Sequence, residues 1–401
     1  MSRVAVQAAA DLVAAVEAGA PLIEIAAPIE HLPPLRLSRG QAIVGSGAAT
    51  ALSFDGDGFA VFAANRLQSL HIACPPTASA ISLAPGAEAC EWFAFGDCRC
   101  SGVVHLMFDD PAGDVDLTLS GLTVLRADAT ARLPRPAGNG VEVQHGAITV
   151  WNRADTPTTV TLDAQGIVIG SGEEPVRGTG LFVAGNQAGN GGRVVLRQMA
   201  TGPVFSDSAL PAGTTGTVSG GIFFLAGVWG DLVETHGDIT TWGANAVPID
   251  CWGNLGHWRI EGSGRSHGPS AVGMVNAGKL GRCSISGVIE TFGDGARGCC
   301  IYGPTGTITA RAIITHGAAA AGLQVVDRLD AITLSEGIFT TGGPGMGLMK
   351  GQMIETPAHG VEIEAGGRLD LLDCARISVA GSGAVSIHAE PGAIGTITDQ
   401  R

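Results

Sequence analysis

The second half of the chain repeats a short apolar–x–Thr–x–Gly phrase. It reads VETHGD (233–238), IEGSGR (260–265), IETFGD (289–294), IITHGA (313–318) and IFTTGG (338–343), then a looser IETPAH (354–359) and ISVAGS (377–382). Successive phrases start 27, 29, 24, 25, 16 and 23 residues apart. A second alternating piece follows each glycine (AVPID, AVGMV, CCIYG, GLQVV, GLMKG, GVEIE, AVSIH), and a third, such as HWRI, RCSI or LDLL, precedes the next phrase. Apolar and polar residues alternate with the period of a strand. Three short strands in every ~25 residues, punctuated by glycine, predict a solenoid of strands.

The first half alternates in the same way on longer coils, as in LTLSGLTVL, GVEVQHGAITV and GGRVVLRQMATG, with turn-rich inserts at 126–139 and 206–213. At the start, the pattern predicts an amphipathic capping helix over Val4–Ala18. It would carry Leu12, Val13 and Val16 on one face and stop at Gly19. Asp11 and Glu17 interrupt the apolar run, so the segment reads as a cap rather than a signal peptide. The expected organisation is one continuous domain: a cap over 1–47, then a parallel β-helix over 48–401, irregular to about 230 and regular over 231–398.

An amphipathic helix, then LIEIA, a Pro-Pro segment and LRLSRGQAIVGSG leading into stacked strands, resembles right-handed parallel β-helix proteins of the pectin-lyase-like superfamily. The resemblance runs from Val4 to Thr398. It implies an all-β solenoid and a role at glycosidic linkages of an oligo- or polysaccharide, either as an enzyme or as a non-catalytic spike, fibre or adhesin module. Hydrolase, lyase and fructotransferase-like activities stay open, because a shared fold does not choose among them. The polygalacturonase-type set of Asn-Thr-Asp, Asp-Asp, Gly-His-Gly and Arg-Ile-Lys is absent, and so are long asparagine ladders. No catalytic residue carries over.

Charge narrows the partners. The net charge is -14 and the only lysines are Lys279 and Lys350, so there is no basic stripe for nucleic acid. No run reaches the roughly 18 apolar residues of a membrane span. The nine cysteines sit mostly alone in apolar strand patterns and read as reduced core thiols. Cys98 with Cys100, and Cys299 with Cys300, lack zinc-site spacing, so neither a metal nor a cofactor is expected. A cytoplasmic location is expected, with a virion or lysis-released spike as the alternative. The flat sides of a solenoid leave a homotrimer open to either reading.

Candidate chemistry comes from stacking, because equivalent positions of successive coils lie about 4.8 Å apart. Aligned on the phrase, one outward column reads Glu234, Glu261, Glu290, Ile314, Phe339, Glu355. Stacked carboxylates repel unless a proton, a cation or an arginine answers them, and a raised acid beside an ionised one is what glycosidic acid/base chemistry needs. Glu234, Glu261, Glu290 and Asp294 therefore form the expected catalytic pool. A second column, Asp238, Arg265, Asp294, alternates in sign and predicts a charge ladder in which Arg265 bridges two aspartates. Trp229, Trp242, Trp252 and Trp258 crowd beside His236, His257, His267 and Asp250. Trp258 reads as internal, and Trp242 and Trp252 as sugar platforms. Asp238, Asp250, Arg265 and His267 complete the expected substrate contacts.

Overall fold

The computed structural model describes residues 3–46, 50–87, 91–349 and 352–399. The chain is a parallel β-helix of short strands, and the helix Ala9–Glu17 is its α-helical element among the described residues. Contacts cluster in two compact units. One is Met1–Ala131 with His145–Gly202 and Ala226–Trp229; the other is Arg132–Gln144 with Pro203–Leu225 and Gly230–Arg401.

The capping helix is shorter than its sequence pattern suggests. Arg3–Val6 is a strand, in parallel register with Leu22–Ile25, and the helix begins only at Ala9. RVAV alternates, and pairing gives its backbone partners that an isolated helix turn would not. The helix buries Leu12, Ala15 and Val16, while Val13 is half-buried. It ends before Gly19, whose φ of 68° suits glycine. The Gln41 amide donates to Val16 O at 3.2 Å and Ala20 O at 3.1 Å, which satisfies carbonyls at that end. The expected cap boundary at Gly47–Ala48 lies outside the described residues.

The first unit stacks three inward columns. Ile23, Ile43, Leu67, Phe95, Leu119 and Ala164 follow one another in register. Leu52, Ile72, Cys100 and Val124 form the second. Leu35, Phe59, Ile81, Val104, Ile148 and Leu181 form the third. All are buried, so each coil closes its core against the coils above and below.

The second unit repeats the plan more regularly. Its columns are Trp258, Cys283, Ile308, Ile332, Leu372; Ile239, Gly264, Ile289, Ile313, Ile338, Ile377; and Ile222, Ile249, Met274, Cys299, Leu323, Val361. Trp258 is fully buried against Phe224. Cys74, Cys98, Cys100, Cys251, Cys283, Cys299 and Cys300 are buried and form no disulfide.

Two geometries that recur from coil to coil explain the Thr and the Gly of the repeated phrase. Thr241, Ser266, Thr291, Thr315 and Thr340 stack in one buried column. Their hydroxyls tie down the bend into the next strand: Ser266 Oγ donates to Ala246 O at 3.1 Å, Thr315 Oγ1 to Ala320 O at 2.6 Å and Thr340 Oγ1 to Ala358 O at 2.9 Å. Thr291 is the exception, its hydroxyl having no partner among the described residues. Two residues further on, glycines stack directly. A Cβ on Gly293 would stand 2.0 Å from Gly268 O, and one on Gly317 2.0 Å from Gly293 O. No side chain fits at that corner.

IETPAH is not a coil. Gln352–Thr356 pairs antiparallel with Gly345–Met349, a hairpin inserted between Thr340 and Ala358. Glu355 therefore faces Met346 and leaves the expected carboxylate column.

Candidate functional site

The register dissolves the rest of that column. Glu290 stands beside Arg265 in the preceding coil and Ile314 in the next. Glu234 and Glu261 belong to a different place: Glu234 lies in Val228–Thr235, which pairs with Asn254–Ile260, and Glu261 directly follows the latter. The phrase misaligned because Gly264 holds the inward position that isoleucine holds in other coils. Ile260, the last residue of the preceding strand, mimicked it.

Every carboxylate of the expected pool has an answer. Glu234 pairs with Arg259, and Glu261 takes a hydrogen bond with His236 Nδ1 at 2.8 Å and lies 3.7 Å from Arg259 Nε. Arg265 reaches Asp238 at 2.7 Å and Glu290 at 3.3 Å, so its second partner is Glu290 rather than the expected Asp294. The other oxygen of Glu290 meets His316 Nε2 at 2.9 Å. Asp294 instead accepts the Ala318 backbone N–H at 2.9 Å and stabilises a turn. The Glu261 carboxyl is held below the usual carboxylate range, first by the His236 hydrogen bond and then by the His236 and Arg259 charges. That is the wrong direction for a general acid.

The aromatic platforms are also redirected. Trp242, His267, Phe292 and His316 occupy one position of successive coils and stack face to face. Centroid separations are 5.4, 4.5 and 4.8 Å, with planes within 14° of parallel. Phe205 lies 6.5 Å beyond Trp242. The faces are spent on one another, and the exposed part of the ladder is ring edge. His316 is thus the counterpart of Phe292 and His267. His267 is depressed below the usual histidine range, chiefly by desolvation, with Arg265 adding to this and Glu290 opposing it.

Asp250 is buried, 1% exposed, in the strand Ala246–Cys251. Burial pushes its carboxyl well above the usual range, with the nearby Trp252 indole acting the other way. Asp250 Oδ1 and Trp252 Nε1 both lack a partner of hydrogen-bond geometry among the described residues, and Trp252 packs edge-on against Phe223. A substrate has no open path to this carboxyl.

The column that runs from Phe223 to Asp250 continues through Val275, Cys300, Gln324, Glu362 and His388. Sequence reasoning passed over it. The signal was present in the non-inward positions of CCIYG, GLQVV, GVEIE and AVSIH, which carry a thiol, an amide, a carboxyl and an imidazole. In the structure, Arg297, Tyr302 and Glu364 join this outer face. Gln324 Nε2 donates to Glu364 Oε1 at 2.8 Å, and His388 stacks on His359 at 4.7 Å. The half-buried Glu362 carboxyl is raised by burial, against the pull of Arg297, and further by Glu364; His388 opposes the rise. Burial lifts the Cys300 thiol to about 11 despite Arg297 and a hydrogen bond with Tyr302. The face therefore combines a raised carboxyl, a second carboxylate two residues on, a buried guanidinium and a phenol, and it opens to solvent at Tyr302 and His388.

No group of three or more His, Cys, Asp or Glu side chains among the described residues has the geometry to hold a metal ion. No helix among them is long and apolar enough to cross a membrane. No family model, curated protein or solved structure matches the chain.

Proposed function

We propose that the chain is a carbohydrate-active β-helix protein that works on glycosidic linkages through Glu362 and Glu364. The observation that carries this reading is geometric: Glu362 sits half-buried two residues from Glu364, with the buried Arg297 on the same face, which opens to solvent at Tyr302 and His388. Burial raises the Glu362 carboxyl, Arg297 opposes the rise and Glu364 adds to it. Glu364 directly follows the strand Val361–Ile363, and its N–H still donates to Val325 O at 2.9 Å. In extended backbone, residues two apart point the same way, about 7 Å apart. That is the order of separation that leaves room for a water beside the scissile bond. Glu362 gives its proton to the departing sugar oxygen, and Glu364 takes one from the attacking water or sugar hydroxyl. Arg297 stabilises the carboxylate that Glu362 becomes, and Tyr302 at the open edge is placed to meet a sugar ring. The carbohydrate class itself rests on the resemblance of the sequence pattern to pectin-lyase-like proteins.

The test is a broad glycan panel scored for product with the wild type and Glu362→Gln. Turnover that falls at least a hundredfold in Glu362→Gln, with an unchanged melting temperature, supports the assignment. Turnover that survives it removes Glu362 from the mechanism. The second reading is a non-catalytic polysaccharide-binding spike or fibre. Its support is the fully paired strip from Glu234 to His316, which has the character of coil-stacking struts. Glycan retention with no product from any member of the panel decides for it.

A further inference from the structure

The first unit holds a cavity of about 410 Å³ at Ser82–Ala87 and Met107–Pro111, and a second of about 320 Å³ whose lining includes Thr159, Asn186, Gly191, Gly192, Arg193 and Trp229. The second is built like a receptor. Its size sits at the low end of the roughly 300–1,000 Å³ typical of ligand pockets, which is room for one ring rather than a chain.

Its floor is backbone held in place by Asn186. The Asn186 amide donates to Ala154 O at 2.9 Å and Asp155 Oδ1 at 3.2 Å, and its Oδ1 accepts the Ala188 N–H at 2.9 Å. Asn186 N–H also closes onto Gly192 O, and Gly192 N–H onto Ala154 O, both at 2.7 Å. A Cβ on Gly191 would stand 2.1 Å from Ala154 O, and one on Gly192 2.1 Å from Asn152 Oδ1, so the floor cannot carry side chains. A floor fixed in advance loses little entropy on binding.

Two side chains at this cavity are unspent. Trp229 is 52% exposed, in contrast to the buried Trp258 and to Trp242, whose faces are stacked. Arg193 is the charged residue of the lining. Its Nε is fixed by Thr159 Oγ1 at 3.0 Å, and no carboxylate pairs with it among the described residues. In a chain of net charge -14, most described arginines do have such a carboxylate, for example Arg197 with Asp163. A pinned guanidinium with free terminal amino groups accepts an anion, and an exposed indole accepts an apolar ring face.

We propose that this cavity binds a single sugar ring bearing one anionic substituent, carboxylate or phosphate, with the anion on Arg193 and the ring against Trp229. The choice of a sugar rests on the carbohydrate reading above; the anion and the single-ring size do not.

Isothermal titration of the full chain with glucuronate, glucose 6-phosphate, glucose and inorganic phosphate tests it. At least one of the two anionic sugars should bind at least tenfold tighter than both glucose and phosphate, and which one does so identifies the substituent. Arg193→Gln and Trp229→Ala should each weaken that binding at least tenfold with an unchanged melting temperature, and Glu362→Gln should leave it intact. Equal binding of glucose, full affinity in Arg193→Gln, or no binding of either anionic sugar overturns the proposal. Because the readout is binding, it stands or falls separately from turnover at Glu362.

Discussion

Arg265 and Glu290 face each other across adjacent coils, guanidinium Nε to carboxylate Oε2 at 3.3 Å, at the same register position of neighbouring strands. This turns a column expected to hold like charges into a ladder that runs Asp238, Arg265, Glu290, His316. Removing the centre should cost most. Arg265→Met is expected to lower stability by about 1 kcal/mol, the scale of partly exposed pairs, and less at high salt. A double-mutant cycle with Glu290→Gln in urea titrations measures the coupling. Additive single effects would remove the ladder's structural role.

The ring stack makes stability depend on pH. His267 is depressed when folded, so the unfolded chain takes up the proton first as pH falls. Its contribution is complete above the ordinary histidine value of about 6.5 and is lost as pH drops through that value toward the folded one. His267→Phe keeps the stack and deletes the proton. Melting temperatures recorded between about pH 7.5 and 5.5 should fall less steeply in this variant than in the wild type.

The buried hydroxyl column gives opposite outcomes for one kind of substitution. Thr340→Val deletes a hydrogen bond to Ala358 O and leaves that carbonyl short of a donor, at a cost of about 1–2 kcal/mol. Thr291→Val removes a hydroxyl with no partner and is expected to be neutral or stabilising. Chemical denaturation of both variants checks the sign of each change.

Gly293→Ala drives a methyl group into Gly268 O. Backbone cannot step aside as a flexible side chain can, so the loss is expected to be about 3 kcal/mol or more. Gly343→Ala, where a Cβ meets nothing, is the control and should change the melting temperature little.

The architecture was legible because its two periods are written in the chain. Alternation marked the strands, and recurring glycine marked the corners. The lateral register was not legible. Gly264 lacks a side chain where Ile239 and Ile289 have one, with Ile249 Cδ1 filling the space, and Ile260 offered a false match one strand earlier. That one slip joined Glu261 to Glu290 and set Arg265 against Asp294 instead of Glu290. The strand that precedes the cap helix is hidden for a related reason: RVAV is too short for its alternation to outweigh the helical run beside it. Glu362 and Arg297 were missed because their neighbours come from coils 24 to 38 residues away, and a single row of CCIYG or GVEIE does not announce a cluster.

The bare corner also determines where the solenoid can lengthen. Gly317, Gly342 and Gly381 would each put a Cβ on the carbonyl of the glycine one coil back, so no coil can add width there. The excursion Gly345–Thr356 leaves just after Gly342, and the chain still returns in register, with Leu323 opposite Val361 and Ile338 opposite Ile377. The hairpin is thus a side branch on an undisturbed spiral, and this bend is a ready graft point. A foreign loop spliced between Gly345 and Thr356 would start from backbone that lies over the preceding coils, Gly347 against Gly295, while those coils kept their count.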